Sequence, residues 1–140
     1  MSGQNIELHR RAIEAFNARD VDAILALSDP GSEGHSVFAE VSGVYHGHEG
    51  ARRFFRDLDD AWGADLCLEP EAYFDLGEQT LVFYIARARG RQSGAEIARP
   101  HAQVFRWRDG LCTYWKAYSN RQDALRDLGV SEDSLEPIPP

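Results

Sequence analysis

The chain has 140 residues, of which 15 are Lys or Arg and 23 are Asp or Glu, so its formal charge is −8. Proteins that bind nucleic acids or anionic membranes need a basic face, and this balance argues against both classes. Hydrophobic residues make up 43% of the chain, which suffices for one packed domain and excludes general disorder.

The N-terminus and the two cysteines bear on the location of the protein. Residues 1–7 lack the basic and apolar regions of a secretory signal, and the apolar runs are too short to span a bilayer. Cys67 and Cys112 have the spacing of neither a metal site nor a redox pair. We therefore expect a cytoplasmic protein with reduced thiols.

The first half of the chain has helical periodicity. Ile6, Ile13 and Phe16 recur at helical spacings and predict a first helix. Asp20 is the predicted N-cap of a short second helix, which ends at the Asp29-Pro30-Gly31 segment.

A third helix is predicted by a single apolar stripe after Gly47-His48-Glu49-Gly50. The stripe comprises Ala51, Phe54, Phe55, Leu58, Ala61 and Trp62. Between the second and third helices, residues 36–41 and 44–45 predict a short extended segment.

The second half predicts an antiparallel sheet followed by a short helix. Predicted strands cover residues 66–76, 80–89, 97–108 and 111–118. Asp109-Gly110 is a two-residue hairpin signal between the last two strands. Asn120 is expected to cap the final helix, and Gly129 is expected to end it.

One predicted strand is apolar at every position. Residues 81–86 do not alternate between polar and apolar side chains, so both faces of this strand are expected to be covered. Helices cover one face, and a second subunit is the predicted cover for the other. The alternative is a hydrophobic strand at the centre of the sheet.

Helices that precede an antiparallel sheet indicate the α+β class. Three N-terminal helices packed on a strongly curved, mostly antiparallel sheet would enclose a cone with an interior pocket. We expect residues 1–130 to form this single domain. Residues 131–140 form an acidic, proline-rich tail that is expected to be mobile or loosely docked.

Four segments, taken in order, resemble the SnoaL-like polyketide cyclase and ketosteroid isomerase-like branch of the nuclear transport factor-like superfamily. They are residues 15–23, Tyr45-His46-Gly47-His48-Glu49-Gly50, Arg108-Asp109-Gly110 and residues 118–125. The resemblance spans most of residues 5–129. It implies a cystatin-like cone with a deep apolar pocket, a homodimer that pairs through the outer face of the sheet, and no cofactor.

The resemblance also implies positions for acid–base residues. Glu40 falls where ketosteroid isomerase-like members hold a carboxylate base, and apolar neighbours would raise its pKa. The alternative is a solvated loop glutamate. Gln103 falls where those members hold an acid that donates to a developing oxyanion. Their partner tyrosine is replaced by Ala12, so steroid isomerisation by that mechanism is not expected.

The predicted strand over residues 97–108 adds two further candidates beside Gln103. His101 and Phe105 share its parity along the strand, so all three side chains point the same way. A His and a Gln in an apolar interior need partners, which either a ligand or a bridging water can supply.

The last predicted strand supplies a candidate pocket wall. Trp115, Ala117 and Ser119 share one face, which the family pattern places inside. Trp115 would be a flat apolar wall for rings or an acyl chain, or else an ordinary core tryptophan. By topology, His35 and Tyr45 lie near the pocket mouth and are predicted to contact the ligand.

His46 and His48 flank Gly47, and two histidines at this spacing can bind a metal ion. No third ligand is identifiable, so we predict no metal.

These features favour a protein that holds a small hydrophobic molecule in its cone. One hypothesis is a cofactor-independent isomerase, cyclase, dehydratase or hydrolase with Glu40 or His101 as base. The alternatives are a non-catalytic ligand-binding protein and a dimerisation protein of the same fold. Because the expected acid–base pair is incomplete, the sequence leaves open whether the protein is an enzyme.

Overall fold

The computed structural model describes residues 2–37, 43–61, 65–89 and 94–140. Its helices are α1 (Ser2–Asn17), α2 (Val21–Ala26), α3 (Gly47–Ala61) and α4 (Arg121–Leu128), with a 3-10 turn at Glu132–Ser134. Its strands are β1 (Ser28–His35), β2 (Tyr45–His46), β3 (Cys67–Asp75), β4 (Gln79–Arg89), β5 (Glu96–Arg108) and β6 (Leu111–Tyr118). The α+β class and the helices packed on the sheet are confirmed.

The sheet is mixed and has the strand order β2-β1-β6-β5-β4-β3. All neighbours run antiparallel except β1 and β6, which are parallel. Strand β1 begins at Ser28, where the sequence predicted only the end of a helix. The pairing register shifts between Ser28 and Glu33, and this irregularity accommodates Pro30 and Gly31 within the strand.

The predicted helix caps are confirmed. The Asp20 side chain accepts a hydrogen bond from the Ala23 N–H, and the Asn120 side chain accepts one from the Gln122 N–H. Gly129 ends α4 in the left-handed conformation, with φ of 68°. No helix in the described ranges is long and apolar enough to cross a membrane.

Helices α1, α2 and α3 pack on the inner face of the sheet. Two hydrogen bonds fix the end of α1 to β3, because the Asn17 amide donates to the Leu68 carbonyl and accepts from the Leu68 N–H, each at 2.9 Å. The buried residues of this inner face include Ile13 and Phe55 from the helices and Val82 from β4.

The outer face of β4 is covered by the chain itself. Leu81 and Phe83 pack with Ala124 and Leu125 of α4, and Leu81 is completely buried. The apolar pattern of β4, which predicted a second subunit, is therefore explained by the C-terminal helix. The sequence reading missed this because α4 lies far from β4 along the chain.

The C-terminal tail is docked rather than loose. Ile138 forms an antiparallel bridge with Tyr73, with N···O distances of 2.9 and 2.7 Å. Leu135 packs on the outer-face core, and Arg10 donates to the Pro139 carbonyl at 2.8 Å. The few apolar groups of the tail are thus placed where the sheet and α1 leave partners for them.

Candidate functional site

The inward face of β5 forms one wall of the molecule's interior. Alternate residues point to the same side of a strand, so His101, Gln103, Phe105 and Trp107 follow each other along this face. The first three line the interior cavities, and Trp107 is buried beyond them.

An inner cavity of about 50 Å³ lies between the three N-terminal helices and the sheet. Its lining residues are Ala12, Ile13, Phe16, Ile24, Leu27, Ser28, Ser32, Tyr45, Gly47, Ala51, Phe54, Phe55, Gln103, Phe105, Cys112 and Trp115. The small side chain of Ala12 leaves space at this position.

An outer cavity of about 180 Å³ adjoins the inner one. Its lining residues are Phe16, Ser36, Val37, Phe54, Leu58, Leu66, Leu68, Tyr84, Ala86, Ala88, Ile97, Arg99, His101, Gln103, Trp115 and Ala117. Val37 and Arg99 are exposed, so this cavity reaches the molecular surface. The two cavities together form a largely apolar interior.

A buried polar network holds Gln103 between the cavities. His9, on α1, is completely buried, and its Nε2 lies 3.0 Å from Gln103 Oε1. Its Nδ1 lies 2.7 Å from Thr80 Oγ1, which also accepts a hydrogen bond from Trp107 Nε1 at 2.9 Å. The His9 ring stacks on Phe105 with a centroid distance of 4.3 Å.

The hydrogen-bond directions in this network follow from the chemistry of its members. Burial lowers the pKa of His9 to about 4, so its imidazole is neutral at pH 7. An amide oxygen only accepts, so His9 Nε2 donates to Gln103 and Nδ1 accepts from the Thr80 hydroxyl. Within the described residues nothing accepts from Gln103 Nε2. Its two N–H donors remain available to the cavities.

Trp115 forms a wall shared by both cavities. Its indole lies against Gly34 of the neighbouring strand, where an added Cβ would sit 2.2 Å from Trp115 Cε2. Phe54 packs on it with a centroid distance of 5.0 Å, and the Tyr45 ring is parallel to it at 6.5 Å. The absence of a side chain at Gly34 therefore sets the position of the indole.

Tyr45 is buried and lines the inner cavity with its ring. Its hydroxyl donates to Asp57 Oδ2 at 2.6 Å. Gly50, one turn into α3, lets the helix approach this segment, since an added Cβ would lie 2.7 Å from the Tyr45 carbonyl carbon.

His101 is half-buried and lines the outer cavity. Burial lowers its pKa, and the positive charges of Arg121 and Arg99 lower it further. Its ring meets Tyr84 edge-on at 5.8 Å. A neutral imidazole at pH 7 is a proton acceptor, so the outer cavity contains one group suited to act as a general base.

The remaining predicted site residues are distributed as follows. Phe105 lines the inner cavity and Ala117 the outer one. Ser119 is exposed beyond the end of β6 and lines neither cavity. His35 points to the outer face of the sheet, where its Nε2 lies 2.6 Å from Glu33 Oε2. Glu40 lies outside the described residues.

His48, one of the two histidines beside Gly47, contacts the backbone of β1. His48 Nε2 lies 2.9 Å from the Ser28 carbonyl oxygen, which fixes the start of α3 beside β1. In the described part of the chain, no group of three His, Cys, Asp or Glu residues is placed to hold a metal ion.

His9 is the central residue that sequence reasoning missed. It lies three residues after Ile6 and four before Ile13, on the apolar stripe of α1. A histidine on such a stripe is itself a signal, because a buried imidazole requires hydrogen-bond partners. Its partners on β4 and β5 are 71 and 94 residues away, so the sequence could not identify them.

Comparison with known proteins agrees with this architecture. A family model described as a SnoaL-like domain matches residues 9–115. No curated protein matches the chain.

Solved structures share the fold at low identity. An NTF2-like protein of unknown function from Burkholderia pseudomallei has a TM-score of 0.75 and 22% identity, covering 88% of this chain and 95% of its own. TerC, co-crystallised with polyporic acid, has a TM-score of 0.74 and 22% identity, with coverage of 89% and 97%.

A third similar structure is a protein with a ketosteroid isomerase-like fold from Catenulispora acidiphila, in complex with trimethylamine. Its TM-score is 0.70 at 15% identity, and the match covers 91% of this chain and 95% of that one. These similarities confirm the cystatin-like cone as the fold and carry no residue roles.

Proposed function

The chain belongs to the SnoaL-like domain family, and from this premise we propose that it binds a small apolar molecule with a hydrogen-bond acceptor inside its cone. The observation that carries the proposal is the Gln103 amide. Its oxygen is occupied by His9, while its two N–H donors face cavities lined mainly by apolar side chains.

The chemistry of this site favours a neutral ligand with a carbonyl-type oxygen. An amide N–H in apolar surroundings gains most from an acceptor that it does not share with water. Trp115 and Phe54 offer flat surfaces that suit rings. Complexes of similar folds with polyporic acid and with trimethylamine support small-molecule binding as the use of this interior.

A pair of isosteric probes tests the proposal. 2-Acetylnaphthalene carries a carbonyl, and 2-isopropenylnaphthalene has the same shape without the oxygen. We expect the ketone to bind about fivefold more tightly, since one hydrogen bond contributes about 1 kcal/mol. Binding is measured by fluorescence titration.

Gln103→Met removes the hydrogen-bond donor, so the variant should bind the ketone and the alkene with equal affinity. Gln79→Met is the matched control, because Gln79 lines neither cavity. Thermal unfolding of each variant shows whether it is folded at the titration temperature. Failure of both probes to bind saturably to the wild type would refute the proposal.

A second candidate is acid–base catalysis in the same interior. It rests on His101, whose side chain is one inward position from Gln103 along β5, about 7 Å away along the strand. A neutral His101 would take a proton from the carbon beside a carbonyl, and Gln103 would donate to the oxygen that gains charge. The reaction class would be isomerisation, cyclisation or dehydration without a cofactor.

Deuterium exchange at the methyl group of 2-acetylnaphthalene, followed by NMR, tests this candidate. Because the pKa of His101 is lowered, the rate should be constant above about pH 6.5 and fall on acidification. His101→Gln should abolish the exchange if His101 is the base, and Glu40→Gln should do so if the predicted carboxylate is. Exchange no faster than in buffer would leave binding as the function.

A homodimer is proposed from the family resemblance, and a cytoplasmic location is proposed from the two free thiols. With Leu81 and Phe83 covered by α4, a dimer would use the rest of the outer face, including the Glu33–His35 pair and Tyr114. Analytical ultracentrifugation across a concentration series tests the dimer, and cell fractionation tests the location.

A further inference from the structure

The inner and outer cavities meet at four shared residues. Phe16, Phe54, Gln103 and Trp115 line both. Three of the four are aromatic, and the fourth is the amide with two available N–H donors. The Phe54 ring lies 5.0 Å from Trp115 and 6.2 Å from Phe16, so aromatic faces surround the junction.

Gln103 is placed between the cavities rather than at the end of one. On β5, the next inward residue on one side is His101, which lines only the outer cavity. The next on the other side is Phe105, which lines only the inner cavity. Each is about 7 Å from Gln103 along the strand.

This placement constrains where a ligand carries its acceptor. An acceptor bonded to Gln103 has apolar walls on both sides, formed by Ile13 and Phe105 inside and by Leu58 and Leu68 outside. A molecule that ends in its acceptor would contact one of these walls and forgo the dispersion contacts and apolar burial that the other offers. A molecule with apolar groups on both sides of the acceptor would contact both.

From this geometry we infer that the ligand is an elongated ketone or ester whose carbonyl lies between two unequal apolar groups. The larger group, of the size of a fused ring system, occupies the outer cavity of about 180 Å³. The smaller, a short chain of about three carbons, occupies the inner cavity of about 50 Å³, which is too small for a ring. This inference rests on the proposed function and specifies its ligand class.

Two ketones that differ only on one side of the carbonyl test the inference. 2-Butyrylnaphthalene has a propyl group on the other side of its carbonyl, whereas 2-acetylnaphthalene has only a methyl group there. We expect wild-type protein to bind the butyryl ketone at least about tenfold more tightly, because its two additional methylene groups are buried in the inner cavity.

Variants that fill one cavity at a time make the test specific. Ala12 lines only the inner cavity, so Ala12→Leu should weaken the butyryl ketone more than 2-acetylnaphthalene and thereby remove the preference between them. Ala88 lines only the outer cavity, so the matched Ala88→Leu should weaken both ketones. If Ala12→Leu does not fold, Ala51→Leu fills the inner cavity from α3.

The outcomes separate this inference from the proposed function. Saturable, Gln103-dependent binding of both ketones with equal affinity would overturn the two-sided ligand and leave the binding function standing. An Ala12→Leu variant that loses both ketones equally, or neither, would also overturn it. Binding of neither ketone to wild-type protein would refute the binding function itself.

Discussion

The two faces of the sheet differ in how completely they are packed. On the outer face, Leu81, Phe83 and Val104 pack against α4 and the tail, and Leu81 has no exposed surface. On the inner face, Phe54 and Trp115 point inward, yet each is only half-buried because it lines cavities. One face has a filled core, and the other has a core with space for a ligand.

The difference shows where stability and binding reside in this chain. Close-packed residues lose many contacts when they are truncated, whereas residues beside an existing cavity have fewer contacts to lose. The outer face should therefore dominate the free energy of unfolding. Residues of the inner face should affect binding more than stability, apart from the buried His9 network.

Substitutions at Leu81 and Leu58 provide the strongest test of the difference in packing between the two faces of the sheet. Leu81→Ala should lower the free energy of unfolding by about 4 kcal/mol, and Leu58→Ala, beside the outer cavity, by about 2 kcal/mol. Urea denaturation measures both. Leu58→Ala should also change the affinity for 2-acetylnaphthalene, which Leu81→Ala should leave unaltered. Equal destabilisation by the two substitutions would contradict the contrast between the faces.

The buried histidine predicts a pH dependence of about 3 kcal/mol. The unfolded chain binds a proton at His9 below its ordinary pKa of 6.5, but the folded chain does so only near 4. Stability from neutral His9 is therefore complete above pH 6.5 and is lost as the pH falls to 4.

His9→Gln provides the control for the other titrating groups. The difference in unfolding free energy between wild type and variant should decrease by about 3 kcal/mol between pH 7 and pH 4. Denaturant titrations at both pH values measure it. A difference that stays constant would show that His9 does not titrate in this way.

Gly34→Ala tests the position of Trp115. The added methyl would overlap the indole, so the side chain must move, at a cost of about 2 kcal/mol. Ketone affinity should fall with it, because Trp115 lines both cavities. Gly3→Ala, where no atom lies within 4 Å of the added carbon, is the control. Unchanged stability and affinity in Gly34→Ala would mean that the indole is free to shift.

The smallest expected effect concerns the tail. Ile138→Ala removes a half-buried side chain from the inner-face core but keeps the two backbone hydrogen bonds to Tyr73, so we expect a loss of about 1 kcal/mol. Ile138→Val should cost less. Thermal unfolding provides the measurement, and a variant as stable as the wild type would indicate that the tail does not support the fold.

The alternation of side chains along a strand allowed much of the candidate site to be predicted from the sequence. The period of two on β5 correctly grouped His101, Gln103 and Phe105, because alternation is a local property of extended chain. The same reasoning could not identify the partner of Gln103, since His9 lies on a helix 94 residues earlier. It also could not show that His35 has Glu33 as its partner on the outer face.

The sequence by itself determined the α+β class, the caps at Asp20 and Asn120 and the hairpin at Asp109-Gly110, because each depends on residues within a few positions of one another. Only the tertiary structure decided that α4 covers β4, that Ile138 pairs with Tyr73, and that Gln103 separates two cavities. Those features arise from contacts between distant segments, and their energies depend on shape and burial that no local pattern specifies.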